Sequence, residues 1–361
     1  MFLETRLKTM MLSLSLDVGD ELLCLVGPSG SGKSTILRSI AGVYQPDNGS
    51  IEIRGRQVFS AGLNIGLPPA ERHVGFVPQS HALFGHLSVG ENIAYPLLKQ
   101  TSLSPAIVAN RVERLSELLD LADELERLPA DLPPVTQLRV ALGRALVTDP
   151  ELLLLDDPFV GLDHESRKSA RRFFSELLRR VRVPTIFATV ELEEAYEMAD
   201  RIALIDGGRL LQVDSPRSVM LRPAGRRVAE LVRSVNVFEG TVVAIDDGAA
   251  TIEITVGIVR MLLSASVGEK VDIVIRPEHV ELIDGEPNSG DNVLTGTIVE
   301  LLPHGEVSAL TIRPSGARGG ATVEAFVSNS VVEVSGLAVG RSCRISLPAR
   351  ALHAMPTPPG I

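Results

Sequence analysis

The chain has 361 residues, room for two or three domains of about 150 residues each. Acids outnumber bases 45 to 35, the formal charge is −10, and aromatics make up 4% with no Trp. That excludes a basic field or a base-stacking platform, so no nucleic-acid partner is expected. Mean hydropathy is +0.20, yet no apolar run nears the roughly 18–20 residues that cross a bilayer. The opening MFLETRLKTMMLSLSLDVGD is interrupted by serines and ends its apolar stretch at Asp17 without a small-residue cleavage site, so it does not read as a secretory signal. Cys24 and Cys343 lie far apart without metal-type spacing, which predicts reduced thiols in a reducing, cytoplasmic setting.

In chain order, ELLCLV (residues 21–26) is a short apolar run that feeds a Gly-rich loop, and ILRSIAG (36–42) follows as a helix. Residues 107–128 carry a charged helical pattern. ELLLLDD (151–157) is an apolar strand ending in acids. Residues 164–182 are again helical, VPTIFAT (183–189) is a strand, 191–198 a short helix and RIALIDGG (201–208) another strand. Apolar strands alternating with helices predict a mostly parallel α/β sheet over residues 1–225. Beyond residue 225 short Val/Ile strands and Gly turns take over. NVFEGTVVAI (236–245) repeats as NVLTGTIVEL (292–301), and VGEKVDIVIRPEHV (267–280) as VGRSCRISLPARAL (339–352). The repeat predicts an all-β domain at 226–361 built from two small barrel-like modules, at about 236–283 and 292–354.

GPSGSGKST (27–35) fits G-x-x-x-x-G-K-[ST] between a strand and a helix. Glycines let successive backbone N–H groups turn toward phosphate oxygens, and the helix N-terminus adds its partial positive charge. Gly27, Pro28, Ser29, Gly30, Ser31, Gly32, Lys33, Ser34 and Thr35 are therefore expected to cradle ATP, with Lys33 on the β- and γ-phosphates and Ser34 on Mg²⁺. Asp156, at the end of LLLLDD, is expected to hold the same ion through water.

Four stretches together carry a resemblance: the phosphate loop, GFVPQSHALFGHLSVGENI (75–93), DDPFVGLD (156–163) and the RPEHV tail resemble the ATP-binding subunits of ABC importers, most closely those for molybdate, sulfate and related oxyanions. Sugar importers carry a similar tail. The resemblance implies an ABC-type P-loop domain followed by OB/TOBE-like β modules. It implies that Gln79 touches Mg²⁺ and the attacking water, that residues 81–92 lie near the permease, and that Asp163 lies at a dimer interface. It implies further that Asp157 acts on the water. The partners implied are a second nucleotide-binding subunit (in a homodimer or a heterodimer), a transmembrane permease and an extracytoplasmic substrate-binding protein. The place implied is the inner face of the cell membrane.

Three positions depart from that pattern. Where Leu-Ser-Gly-Gly-Gln is expected before RVALGRAL, this chain has Leu132, Pro133, Pro134, Val135 and Thr136. Proline has no N–H, so two backbone donors are gone. Asp157 stands where a longer glutamate is usual, and Val190 where a histidine is usual. The adenine-stacking aromatic of the family has only Phe2 as a counterpart. The expectation is a subunit that binds ATP and hydrolyses it slowly. A second reading remains, a nucleotide-binding regulatory subunit without useful turnover; a small-molecule kinase is disfavoured by the Gln79 and DDPFVGLD segments.

Other residues read as structural. Cys24 is a core residue, and His73, His81 and His86 fit no metal-ligand spacing. Glu191, Glu193 and Glu194 suit the first turn of a helix. Ser264, Ser266, Asn292 and His304 are able to donate to an oxyanion, although the β modules serve equally well for dimerisation or regulation alone.

Overall fold

The structure, a computed structural model, describes residues 1–7, 10–98, 103–283 and 292–356. It divides into two compact units, Met1–Pro216 and Arg217–Ile361. Residues 217–225 group with the second unit through hydrogen bonds: Arg276 Nε donates to the Met220 carbonyl (2.9 Å), and the His353 ring lies 3.0 Å from the Pro223 carbonyl.

The first unit is built on eleven strands: β1 (Phe2–Arg6), β2 (Met11–Ser15), β3 (Leu22–Val26), β4 (Asn48–Ile53), β5 (Arg56–Ser60), β6 (Ile65–Gly66), β7 (Val74–Val77), β8 (Leu152–Asp156), β9 (Thr185–Thr189), β10 (Arg201–Asp206) and β11 (Arg209–Asp214). Their order in the sheet is β6-β5-β4-β1-β2-β11-β10-β3-β9-β8-β7. The run β10-β3-β9-β8-β7 is wholly parallel, as the apolar strand patterns predict. Every residue of β8 and β9 is buried, because helices cover both faces of such a sheet.

The other half differs from a mostly parallel sheet. Here β1–β2, β1–β4 and β4–β5 pair antiparallel. β1 and β2 alternate buried and exposed residues, as strands with one covered face do. Arg54 and Gly55, both at positive φ (49° and 77°), close the β4–β5 hairpin.

Among the described residues six α-helices accompany this sheet: α1 (Lys33–Ala41), α2 (Val89–Leu98), α3 (Pro105–Leu118), α4 (Pro134–Leu146), α5 (His164–Val181) and α6 (Leu192–Met198). α1 lies against β7, β8 and β9 and buries Ile36, Leu37 and Ile40. Its C-terminal carbonyls are satisfied by Arg72, only 3% exposed, which donates to Ser39 O (2.7 Å), Ile40 O (3.1 Å) and Leu67 O (2.8 Å). Arg72→Met removes three charge-assisted bonds and strands those carbonyls. It is expected to destabilise the first unit by about 2–4 kcal/mol, read as a lower urea midpoint at unchanged slope.

After α7 (Pro216–Leu221) and α8 (Arg226–Leu231), the second unit holds ten strands: β12 (Asn236–Asp246), β13 (Ala249–Ile254), β14 (Gly257–Leu262), β15 (Lys270–Ile275), β16 (Glu281–Leu282), β17 (Asn292–His304), β18 (Val307–Pro314), β19 (Val323–Ser328), β20 (Ser342–Leu347) and β21 (His353–Pro356). A short α9 (Asn329–Val334) follows β19. The strands form two five-stranded sheets, β14-β13-β12-β15-β21 and β16-β20-β17-β18-β19. The sequence repeat is a structural repeat. Asn236 pairs with Ile275 and Asn292 with Leu347, and both long strands bulge at the matching place, Val242/Ala244 and Ile298/Glu300.

The modules are not independent. β16, at the end of the first copy, pairs with β20, and β21, at the end of the second, pairs with β15. Each copy also reaches over by one buried asparagine. Asn236 exchanges two hydrogen bonds with Glu324, and Asn292 two with Arg260. One apolar core spans both sheets, from Phe238 and Ile273 to Leu310 and Ile345. Asn292 is thus fully engaged in holding the modules together, with a third bond to the Leu347 carbonyl at 2.9 Å, and has no donor left for an oxyanion. His304 lies at the far end of β17 from Asn292, so these two do not converge.

Candidate functional site

The parallel strands bring their C-terminal ends to one edge. The register pairs Val26 with Thr189, Asp156 with Ala188 and Val77 with Leu155. In the order β3-β9-β8-β7, that edge carries the loop 27–35, then 190–191, then Asp156–Asp157, then Gln79. Such an edge is where open parallel sheets bind ligands.

The loop needs its glycines. A β-carbon on Gly27 would lie 2.0 Å from the Ile205 carbonyl oxygen, and Gly32 sits at φ +107°. Gly32 is the N-cap of α1 and provides no side-chain cap, and the first turn holds no acid, so the helix end keeps its positive potential toward the loop. Lys33 is 5% exposed; its ammonium donates to the Gly27 carbonyl at 2.7 Å and the Pro28 carbonyl at 3.0 Å. Burial draws its pKa down, and Asp157 and Asp156 oppose that.

Ser34 Oγ donates to Asp156 Oδ1 at 2.8 Å, joining two of the three residues expected at the metal. Asp156 is 1% exposed, and its Oδ2 accepts no hydrogen bond; Arg38 stands 3.9 Å from it. A buried carboxylate oxygen left over beside a serine hydroxyl fits a hard divalent cation with oxygen ligands. Gln79, the third expected ligand, lies exposed on the turn after β7 and takes no part in that hydrogen bond.

Asp157 sits at φ 45°, anchored by its own N–H to the Ala188 carbonyl at 2.9 Å. Burial raises its pKa; the Lys33 ammonium and the Val190 N–H pull it back, while Asp156 and Glu191 push it up. Val190 itself is apolar and half-exposed. Next to it, the Thr189 hydroxyl donates to Glu194 Oε2 at 2.6 Å and accepts the Glu191 N–H at 3.1 Å.

The loop after Gln79 is held by residues that had no signal in the sequence. Buried Asn92 bonds to the Phe84, Leu87 and Ser88 carbonyls and to the Phe84 N–H. Arg144, from α4, donates to the carbonyls of His81 and Ala82, both residues at positive φ. Among the described residues, no three of His, Cys, Asp and Glu converge on a metal-holding position.

Pro133 is the N-cap of α4 and Pro134 its first residue. Of the four backbone donors that a helix start leaves open, only those of Val135 and Thr136 remain. Pro134 still suits the geometry of a first helical residue, so the helix forms while its anion-binding end is half removed. Asp163 caps α5, accepting the Ser166 N–H at 3.0 Å; the Ser166 hydroxyl first, and that N–H with it, hold its carboxyl below the usual range.

A glycine loop with its lysine and serine, and an acid-ended strand two places away in a parallel sheet, define a P-loop nucleotide-binding domain. Comparison with known proteins agrees: the ABC transporter family model matches residues 10–160 and that of the TOBE domain 273–355. The molybdate/tungstate import ATP-binding protein WtpC of Pyrococcus horikoshii is 34% identical over 95% of both chains. The spermidine/putrescine import ATP-binding protein PotA of Rubrobacter xylanophilus is 38% identical over 84% of this chain and 80% of its own. The sulfate/thiosulfate import ATP-binding protein CysA of Escherichia coli is 36% identical over the same shares. The dimeric ATP-binding cassette MJ0796 bound to ADP and phosphate matches 60% of this chain and 96% of its own, at TM-score 0.50 and 23% identity, a likeness of fold. The chain belongs to the ATP-binding subunits of ABC importers, which are transport ATPases. Among the described residues no helix is long and apolar enough to cross a membrane.

Proposed function

We propose that this chain binds Mg·ATP and hydrolyses it, slowly, to energise an importer for molybdate, sulfate or a related oxyanion. The observation that carries the nucleotide reading is the Ser34–Asp156 hydrogen bond beside the buried Lys33. Ser34 and Asp156 would hold Mg²⁺, with Gln79 brought in from its exposed turn; the ion supplies charge neutralisation on the β- and γ-phosphates. The loop 27–35 orients the triphosphate, and Lys33 meets its terminal charge. Asp157, fixed between the Ala188 carbonyl and the Val190 N–H, orients the attacking water.

The oxyanion is favoured over a polyamine because the molybdate/tungstate relative matches 95% of both chains, against 84% and 80% for the first polyamine relative. The subunit acts as a dimer, most simply a homodimer, on the cytoplasmic face of a permease that an extracytoplasmic binding protein supplies. Two findings favour a second reading, a regulatory subunit paired with a hydrolysing partner: the missing N–H donors at Pro133 and Pro134, and the apolar Val190. Proteoliposomes carrying the subunit and its permease, with the extracytoplasmic binding protein added, test the substrate class. Uptake of labelled molybdate or sulfate that needs ATP is the expected result; ATP-dependent uptake of spermidine instead contradicts it.

A further inference from the structure

Val190 brings no polar side chain to the edge between the phosphate loop and Asp157. The next residue, Glu191, is a carboxylate. β9 lies between β3 and β8, so the segment that leaves β9 is flanked by the loop 27–35 on one side and by Asp156–Asp157 on the other. Glu191 is in that segment. Its backbone is pinned: the N–H donates to Thr189 Oγ1, and that hydroxyl is held by Glu194, 3% exposed and 4.0 Å from Arg167. Its side chain is exposed and makes no capping bond to α6, although it stands at the cap position. Glu191 thus sits on a fixed backbone in the segment between the loop 27–35 and Asp156–Asp157, and among the described residues its carboxylate makes no cap bond.

We propose that Glu191 is a second catalytic carboxylate, which accepts the proton of the attacking water while the shorter, half-buried Asp157 orients it. The water oxygen forms a bond to the γ-phosphorus. The bond from that phosphorus to the β,γ-bridging oxygen breaks, and ADP leaves with the electron pair. The water's proton passes to the Glu191 carboxylate and from there to bulk solvent, which this exposed group meets directly and the half-buried Asp157 does not. A glutamate arm set one residue beyond Val190 supplies the reach that Asp157 lacks.

The inference rests on the hydrolysing reading above. Its test is steady-state ATP hydrolysis by the full chain with its permease. Glu191→Gln, an exposed substitution of equal size, is expected to lower kcat about a hundredfold with KM for ATP changed less than about twofold. Asp157→Glu, added to Glu191→Gln, is expected to return kcat to within about tenfold of wild type, since the longer arm then reaches the water from position 157. A Glu191→Gln enzyme within about twofold of wild type overturns the inference, and so does a drop that Asp157→Glu leaves unrepaired. Wild-type protein without Lys33-dependent turnover overturns the hydrolysing reading itself; normal Lys33-dependent turnover in Glu191→Gln overturns the Glu191 role alone.

Discussion

Pro133→Ser combined with Pro134→Gly is expected to raise ATP turnover by about 10- to 100-fold. A helix start offers four backbone donors, and α4 begins Pro133-Pro134, so it offers two. The family resemblance implies that this helix end meets the terminal phosphate held by the opposite subunit. Each charge-assisted bond restored there is worth about 1.5–3 kcal/mol, about a tenfold or greater effect apiece, of which the part made only in the transition state appears in kcat. The exposed Pro133 and Pro134 leave room for the change. The cost is local: losing proline at the first helical turn and placing glycine there lowers helix stability by about 1 kcal/mol. Turnover with the permease present, measured beside thermal melting, separates the two effects. Unchanged turnover in a stable variant would mean that this helix end does not meet phosphate.

Lys33→Ala is expected to weaken ATP binding about 10- to 150-fold and to reduce hydrolysis to background. Lys33 is held on the loop carbonyls of Gly27 and Pro28, so its ammonium is already within the phosphate cradle. Burial costs the charged form, and Asp156 and Asp157 offset that; a triphosphate adds further negative charge at the same place. Removing the ammonium deletes charge-assisted bonds of about 1.5–3 kcal/mol from binding alone, and more from the transition state as charge shifts on the γ-phosphoryl group. Equilibrium binding of ATP by wild type and Lys33→Ala measures the first part. Equal affinity would place the nucleotide elsewhere.

The chemistry-bearing parts of this chain were legible because they are local. Loop 27–35 and the acid-ended strand need only a few consecutive residues of fixed type, and the parallel core declares itself by uninterrupted apolar runs such as LLLLDD. The β duplication was legible as a repeat, yet the exchange of β16 and β21 between sheets was not, since nothing within a strand says which neighbour it pairs with. The antiparallel half was missed for a related reason. Its strands alternate in burial, and that pattern is faint beside the apolar runs. Arg72, Asn92 and Arg144 had no sequence signal at all: each is a single polar residue whose role is to satisfy carbonyls that only the tertiary fold brings near. Glu191 reads in the sequence as a helix-start acid, and it is the N-cap of α6; only the strand order places its segment between the phosphate loop and Asp156–Asp157.

The central claim is that this subunit turns over ATP despite its altered helix start and switch position. Hydrolysis of Mg·ATP by the purified chain with its permease, beside Lys33→Ala, tests it most directly. Slow turnover in wild type that Lys33→Ala abolishes is the predicted result. ATP bound by the wild-type loop with no turnover in the presence of the permease would contradict it and make the chain a nucleotide-binding regulator.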